Sequence, residues 1–466
     1  MTSAEHWYIY ALMSYPFDPY KIKVLDRIQI LSKSERVKTL QEADYNLFKI
    51  PSEKVAVDLL TDSGTSALSQ EQLSQMMLGD EAYASAKSWE RFEAAVKNFT
   101  GKKEVIPVHQ GRAAEKIMAE VFLDKNDAAF SNSFFDTTRA NFEHRGATCF
   151  DIPTKKSADL LKPRLFKGDI DIKKLRNLLN RYKKQAKVVL MTLTNNTGGG
   201  QPASLKNIEL ARDITVKRGP KFIIDACRIA ENAYFVWLYE QKRKGSIKNI
   251  IRNLFSLSDA AFMSTKKDGL ANSGGFIVTN DKTLAAKFRE LTVLYEGFIT
   301  YGGMTGREME TIARGLEEVI NLTYLEHRIG QIAYIHSELA KIGVPLIHPP
   351  GGHAVYVDAG KLFSHIPRNE FPGQALVVAL YQEGGIRSVE IGSLMLGKTS
   401  KPELVRLAVP RRTYTRSHFD YVAEVFKKIV ADKKRYRGFK ITWQPSTLRH
   451  FTCKLKPTNK TGHYRN

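Results

Sequence analysis

The sequence predicts an α/β fold, a mixed and mostly parallel sheet covered by helices, together with a smaller α+β domain. Through the middle of the chain, apolar runs bounded by turn residues alternate with helix-period segments, the pattern of parallel strands joined by crossover helices. After about Asn321 the order changes to a long helix followed by short strands. At 466 residues the chain also exceeds the size at which a single core stops growing, so two domains are expected. The expected division is 1–60 as an N-terminal arm and part of the small domain, 61–320 as the large domain, and 321–466 as the small C-terminal domain with a basic tail.

Taken in order, Trp7 to Met13 is apolar but follows Glu5; it lacks the basic flank of a secretion signal and reads as a packed N-terminal arm. A strand from Val105 to Val108 leads through His109-Gln110-Gly111-Arg112 into a helix from Ala113 to Phe122, where Ile117, Met118, Val121 and Phe122 recur at helical spacing. Further strands are expected at Lys187 to Leu193 and Lys221 to Asp225, with a helix from Leu205 to Lys217 between them. A helix from Met304 to Leu325 reads as the connector between domains. The small domain is expected to hold strands at His353 to Val357 and Leu404 to Val409. The polar, basic stretch from Lys454 to Asn466 has little to bury and is expected to be disordered.

Composition narrows the function classes. Cys149, Cys227 and Cys453 are too few and too scattered for a disulfide framework or a zinc site, which fits a reducing, cytoplasmic compartment. No apolar run reaches the length of a membrane-spanning helix. The net charge of +22 raises nucleic acid as a partner, because clustered Lys and Arg release counterions on binding phosphates. Here the positive residues are spread along the chain without a zinc-finger, RRM or KH pattern. Solvated surface charge accounts for them, and neither membrane nor nucleic acid is an expected partner.

The chemistry lies in a few segments. Met263-Ser264-Thr265-Lys266-Lys267-Asp268-Gly269 places two adjacent lysines after an apolar run and before Gly274-Gly275. A partly desolvated lysine is a nucleophilic amine able to form a Schiff base, and a hydroxyl with a second lysine beside it holds a phosphate; the pair suggests pyridoxal phosphate. Alone, the pair reads as a solvated surface turn, and it is the rest of the chain that reverses this. His109 to Arg112 joins a strand to a helix N-terminus, which by itself is either an anion site, where backbone N–H groups and the helix dipole attract a phosphate, or a purely structural glycine turn. Asp225 ends the buried run Phe222-Ile223-Ile224, where an unpaired carboxylate is costly. It wants a cation, either a protonated pyridine nitrogen or Arg228 across the turn. Asn196, in the turn Thr194 to Pro202, can reach a pyridoxal 3′-oxygen or be an ordinary loop residue.

These segments, with Asp58-Leu59-Leu60-Thr61-Asp62-Ser63-Gly64, Gly79 to Tyr83, Phe135-Asp136-Thr137-Thr138, Gly199 to Pro202, Glu231 to Phe235, Tyr301-Gly302-Gly303 and Gly351 to Ala354, resemble the pyridoxal-phosphate-dependent β-eliminating lyases. The resemblance runs in order along nearly the whole chain. It implies a fold-type-I architecture like that of aspartate aminotransferase, with the 61–320 domain binding pyridoxal 5′-phosphate. It further implies that Lys267 carries the Schiff base and takes the substrate Cα proton, while Gln110, Gly111, Arg112, Ser264 and Lys266 hold the phosphate. Phe135 stacks on the ring, Asp225 binds its nitrogen, and Asn196 and Arg228 flank the 3′-oxygen. Arg406, with Asn196 and Thr61, takes the carboxylate of an amino-acid substrate. Tyr83 reaches the cofactor across a subunit interface and serves proton transfer. A monovalent cation, potassium, falls to Gly64, Glu81 and Asn272, and the expected assembly is a homotetramer with active sites at a dimer interface.

Members of the family part by the aromatic side chain they release. Those releasing phenol carry an arginine in the segment that here reads Val389-Glu390-Ile391-Gly392-Ser393; Ile391 cannot bond a phenol hydroxyl and suits an indole. Asp136 and His450 stand where those members have threonine and phenylalanine. All three positions favour β-elimination of L-tryptophan to indole, pyruvate and ammonia over L-tyrosine, although Ile391 and His450 would also fit as plain core residues. A carbon leaving group departs as a neutral molecule, so the indole needs a proton, for which Tyr83, Asp136 and His450 are the candidates. The segment before about Pro19 and the tail beyond Leu455 exceed what the family requires, and the stretch from Glu120 to Ala129 is short. A basic binding protein on an inactive scaffold is the alternative of a different class.

Overall fold

A seven-stranded sheet frames the larger of two units. The computed structural model describes residues 18–397 and 402–458, the side chain of Lys156 excepted; the arm expected at Trp7 to Met13 lies outside them. The larger unit comprises residues 62–329 with 411–413, and the smaller one residues up to 61, 330–410 and those from 414 onward.

The strands of the large sheet are β1 (Glu104–Val108), β2 (Ala128–Ser131), β3 (Thr148–Asp151), β4 (Ala186–Thr192), β5 (Lys221–Asp225), β6 (Ala260–Ser264) and β7 (Gly275–Thr279). Their spatial order is β1-β7-β6-β5-β4-β2-β3. Only β7 runs antiparallel to its neighbours; the other adjacent pairs are parallel. Val188, Val189, Leu190, Phe222, Ile223, Ile224, Ala260, Ala261, Phe262 and Met263 are all fully buried, which is why these strands read as continuous apolar runs rather than alternating ones. In such sheets ligands bind beyond the carboxyl ends of the strands. Here β5 and β6, paired with Asp225 opposite Phe262, end on Asp225 and Ser264.

The helix expected from Met304 to Leu325 is instead two helices. The first, Gly306–Glu318, starts with a capping box between Thr305 and Glu308, and the second runs Leu322–Lys341. The break has a local cause: the Asn321 side chain accepts from Tyr324 N at 3.1 Å, and an asparagine satisfied by the backbone ahead of it starts a new helix rather than continuing an old one.

The smaller unit holds an antiparallel sheet of β8 (Ala354–Asp358), β9 (Val389–Ile391) and β10 (Leu404–Ala408) in the order β9-β10-β8. Leu376 and Leu380 of helix Pro372–Gly384 and Phe419, Val422 and Phe426 of helix Arg416–Ala431 share a core with Val405 and Leu407. The basic tail departs from expectation. Lys454–Pro457 is a strand, β12, antiparallel to β11 (Phe439–Trp443). Its alternation of Lys and Leu buries Leu455 and leaves the lysines outward, so the period of two supplies the apolar face that overall composition hides. Residues 459–466 lie outside the described span. Among the described residues no helix is long and apolar enough to cross a membrane.

Candidate active site

The segments expected to hold a phosphate meet at the carboxyl ends of β1 and β6. Helix Gly111–Phe122 begins directly after β1, and its N-cap Gln110 makes no side-chain capping bond, which leaves the first-turn N–H groups for an anion. Gln110 bridges Gly274, whose φ is +85°. A Cβ on Gly111 would lie 2.6 Å from the Ser264 Cβ, so helix and β6 approach as only glycine allows. Lys266 and Lys267 are half-buried in the turn after β6, and Gly64 N donates to Lys266 O at 2.8 Å. Burial, and then the charges of Lys267 and Arg112, hold the Lys266 ammonium below its ordinary pKa. Three cations thus crowd a helix N-terminus, an arrangement that fits a phosphate.

On the neighbouring strand, burial pushes the Asp225 carboxyl up, while a hydrogen bond from Cys227 and the charges of Lys267 and Arg228 pull it down. Cys227 N donates to Asp225 Oδ1 at 3.1 Å, and Ser264 N to Cys227 Sγ at 3.3 Å. Pairing of Asp225 with Arg228 is not what the chain adopts: the Arg228 guanidinium forks onto Asp62, Nε to Oδ2 at 3.0 Å and Nη2 to Oδ1 at 2.7 Å. A buried carboxylate near Lys267, without an arginine partner of its own, fits a protonated ring nitrogen. Pyridoxal phosphate therefore suits the residues at both of its ends, phosphate and pyridine.

Phe135 and Asp136 begin helix Asp136–His144 and are half-buried. Asn196 is buried in a turn closed by Asn195 N to Gln201 O at 2.9 Å. Tyr83 is 65% exposed, stacks on Phe298 at a ring distance of 5.7 Å and lies tilted against Tyr301 at 5.6 Å. Of the residues expected around a cation, Asn272 and Gly64 meet, with Asn272 Nδ2 donating to Gly64 O at 3.1 Å and to Ser66 O at 3.0 Å. Glu81 makes its bonds elsewhere, accepting from Gly306 N at 2.9 Å at the start of helix Gly306–Glu318. Among the described residues no three His, Cys, Asp or Glu side chains cluster as metal ligands.

Within the smaller unit, Arg406 lies on β10 opposite Val389 and donates to Leu60 O at 3.1 Å, one residue before Thr61. Ile391 ends β9 and is 3% exposed. His450 is buried in an aromatic group with Phe48 and Phe451. Burial, followed by the charge of Arg449, lowers its imidazole to about 4.

Two groups escaped the sequence reading. Glu115 is buried and accepts from Thr137 Oγ1 at 2.7 Å and Thr138 Oγ1 at 2.9 Å; burial raises it to about 7, aided by Asp225. An ion network joins Arg228, Arg328 and Arg411 with Asp62, Glu231 and Asp268. The available signal was that Asp62, Glu231 and Asp268 sit inside the motif segments with no assigned task at a cofactor.

The fold is that of the fold-type-I pyridoxal-phosphate enzymes. The fold matches an aspartate aminotransferase of Thermotoga maritima at a TM-score of 0.61 and 14% identity, covering 86% of this chain and 98% of that one, and a threonine aldolase of Leishmania major at 0.58 and 13%, covering 80% and 99%. Residues 58–425 match the β-eliminating lyase family, and the chain belongs to that family. It is 46% identical to a tryptophanase of Hyphomonas neptunium, over 94% of this chain and 98% of the relative. It is 42% identical to a tyrosine phenol-lyase of Clostridium tetani, over 95% and 99%. Both comparisons support a lyase acting on a small amino acid.

Proposed function

We propose that this lyase acts on L-tryptophan, releasing indole, pyruvate and ammonia. The observation that carries the choice is Ile391, a buried apolar side chain with no donor for a phenol hydroxyl; Asp136 and His450 support it. When bound, pyridoxal phosphate acts as the electron sink for the substrate carbanion. Lys267 holds the cofactor covalently and then, as a free amine, takes the Cα proton. Asp225 keeps the ring nitrogen protonated, and Gln110, Gly111, Arg112, Ser264 and Lys266 hold the phosphate. Phe135 covers the ring face, and Asn196 and Arg228 orient the 3′-oxygen, with Arg228 in turn held by Asp62. Arg406 forks onto the substrate carboxylate, a task shared with Thr61 and Asn196.

The leaving indole receives its proton from among Tyr83, Asp136 and His450. Tyr83 is exposed in an aromatic group with Phe298 and Tyr301, which supports a part played in a neighbouring subunit's site within a homotetramer. Potassium at Gly64, Asn272 and Glu81, and a cytoplasmic location, complete the reading. The test is to incubate the purified holoenzyme in potassium buffer with each amino acid. Indole from tryptophan, at a kcat/KM well above that for phenol from tyrosine, is expected; phenol without indole overturns the proposal. In parallel, Lys267→Ala is expected to lose the covalent link, read as loss of cofactor mass in denaturing mass spectrometry after borohydride.

A further inference from the structure

Of the buried ion network, the proposed chemistry uses Arg228 and Asp62 and leaves Arg328, Arg411, Glu231 and Asp268 without a task. Arg411 is fully buried. Its Nη1 donates to Asp62 Oδ2 at 2.9 Å, and its Nη2 to Glu231 Oε1 at 2.7 Å and Asp268 Oδ1 at 2.8 Å. Each of these carboxylates does a second thing. Asp62 holds Arg228 in a fork. Asp268 follows Lys267 in the chain, and its other oxygen accepts from Ala230 N at 2.8 Å and Glu231 N at 3.1 Å at the start of helix Ile229–Phe235. Glu231 takes Arg328 Nε at 3.1 Å. Three guanidinium groups face three carboxylates, so the cluster is neutral as a whole while the cost of burying each charge is high.

The three carboxylates lie on three separate segments, residues 61–64, 225–231 and 264–268, and those segments carry Gly64, Asp225, Arg228, Ser264, Lys266 and Lys267. Arg411 touches a carboxylate on each of the three. A guanidinium can do this because its donors diverge in a plane; a lysine ammonium cannot span the same three acceptors.

We propose that Arg411 is a positioning residue for the cofactor site, locking the Lys267 turn through Asp268 and the Arg228 guanidinium through Asp62. The proposal rests on the assignment of Lys267 and Arg228 to pyridoxal phosphate. Without Arg411, three buried carboxylates face two arginines. The one best placed to take up a proton is Asp268, whose carboxyl burial and then the Glu231 charge already push above its ordinary pKa. A protonated Asp268 caps the helix less well, and the turn carrying Lys267 loses its anchor.

The test titrates the apo forms of wild type, Arg411→Lys, Arg411→Met and Lys267→Ala with pyridoxal phosphate. It records the dissociation constant and the pH midpoint of the bound cofactor's visible absorbance, with far-UV circular dichroism to establish folding. Arg411→Lys is expected to fold, to weaken cofactor binding about tenfold or more, and to move the midpoint by about half a unit or more. Arg411→Met is expected to do more of both; if it fails to fold, Arg411→Lys carries the test. A wild-type dissociation constant and midpoint in Arg411→Lys, even with a lowered melting temperature, would reduce Arg411 to a structural residue and overturn the proposal. Failure of the underlying assignment shows separately, as a pH-dependent visible band that survives in Lys267→Ala.

Discussion

Replacing Gly111 by alanine tests the phosphate cradle through a distance. The added Cβ would stand 2.6 Å from the Ser264 Cβ and 3.3 Å from its Cα, whereas carbon atoms rest about 3.5–4.0 Å apart. Helix Gly111–Phe122 and β6 must therefore separate by about 1 Å at the point where both are proposed to supply phosphate ligands. Ser264 has little room to give, being paired with Gly275 and bonded through N to Cys227 Sγ. Overpacking of this kind costs about 1–3 kcal/mol. Apoprotein can relax by letting the helix N-terminus slide, while the holoenzyme needs both sides in place, so most of the cost falls on cofactor binding. That corresponds to a dissociation constant weakened by about 5- to 150-fold, with a smaller drop in the apoprotein melting temperature. The assay is titration of apoprotein with pyridoxal phosphate followed by absorbance, beside thermal melts with and without cofactor. Unchanged affinity in Gly111→Ala, with the variant folded, would refute the reasoning, because it would mean that the close approach serves no bound phosphate.

Other expectations follow from the same geometry. Asp225→Ala removes the carboxylate proposed to hold the ring nitrogen; a bond to a charged group contributes about 1.5–3 kcal/mol, so kcat/KM should fall about tenfold or more while the cofactor remains bound. Wild-type turnover in that variant would assign the nitrogen to another residue. Exchanging Ile391→Arg together with Asp136→Thr should raise the ratio of tyrosine to tryptophan turnover by about tenfold or more, read as phenol against indole; an unmoved ratio would remove both positions from recognition. His450 bears on stability against pH, because its folded imidazole is depressed to about 4 while an unfolded one titrates near 6.5. The unfolded chain then binds the extra proton first, so stability is lost as pH falls from about 6.5 to about 4, by roughly 3 kcal/mol in full. His450→Phe should flatten that part of the profile in urea melts at pH 7 and 4.5, and an unchanged slope would show that the imidazole is not held neutral.

What the sequence determined by itself is set by local order. Buried parallel strands need unbroken apolar runs, so β4 and β5 could be read from Val188-Val189-Leu190 and Phe222-Ile223-Ile224. A phosphate site calls for strand ends and a helix start, and Gln110, Gly111, Ser264 and Lys266, proposed to form one, lie within short motifs at such places. Boundaries that depend on one side chain were not legible in this way: Asn321 splits a helix that periodicity alone would continue, and a single inward Leu455 makes a strand of a basic tail. Tertiary structure alone decided the charge pairing. Asp225 and Arg228 are three positions apart, yet the arginine turns to Asp62 and leaves the aspartate beside Lys267. Arg411 reaches three carboxylates far from it in the chain. The reason is physical: patterning depends on neighbours within a few residues, while the partner of a buried charge is whichever opposite charge the folded chain brings within about 3 Å, and no spacing along the sequence encodes that distance.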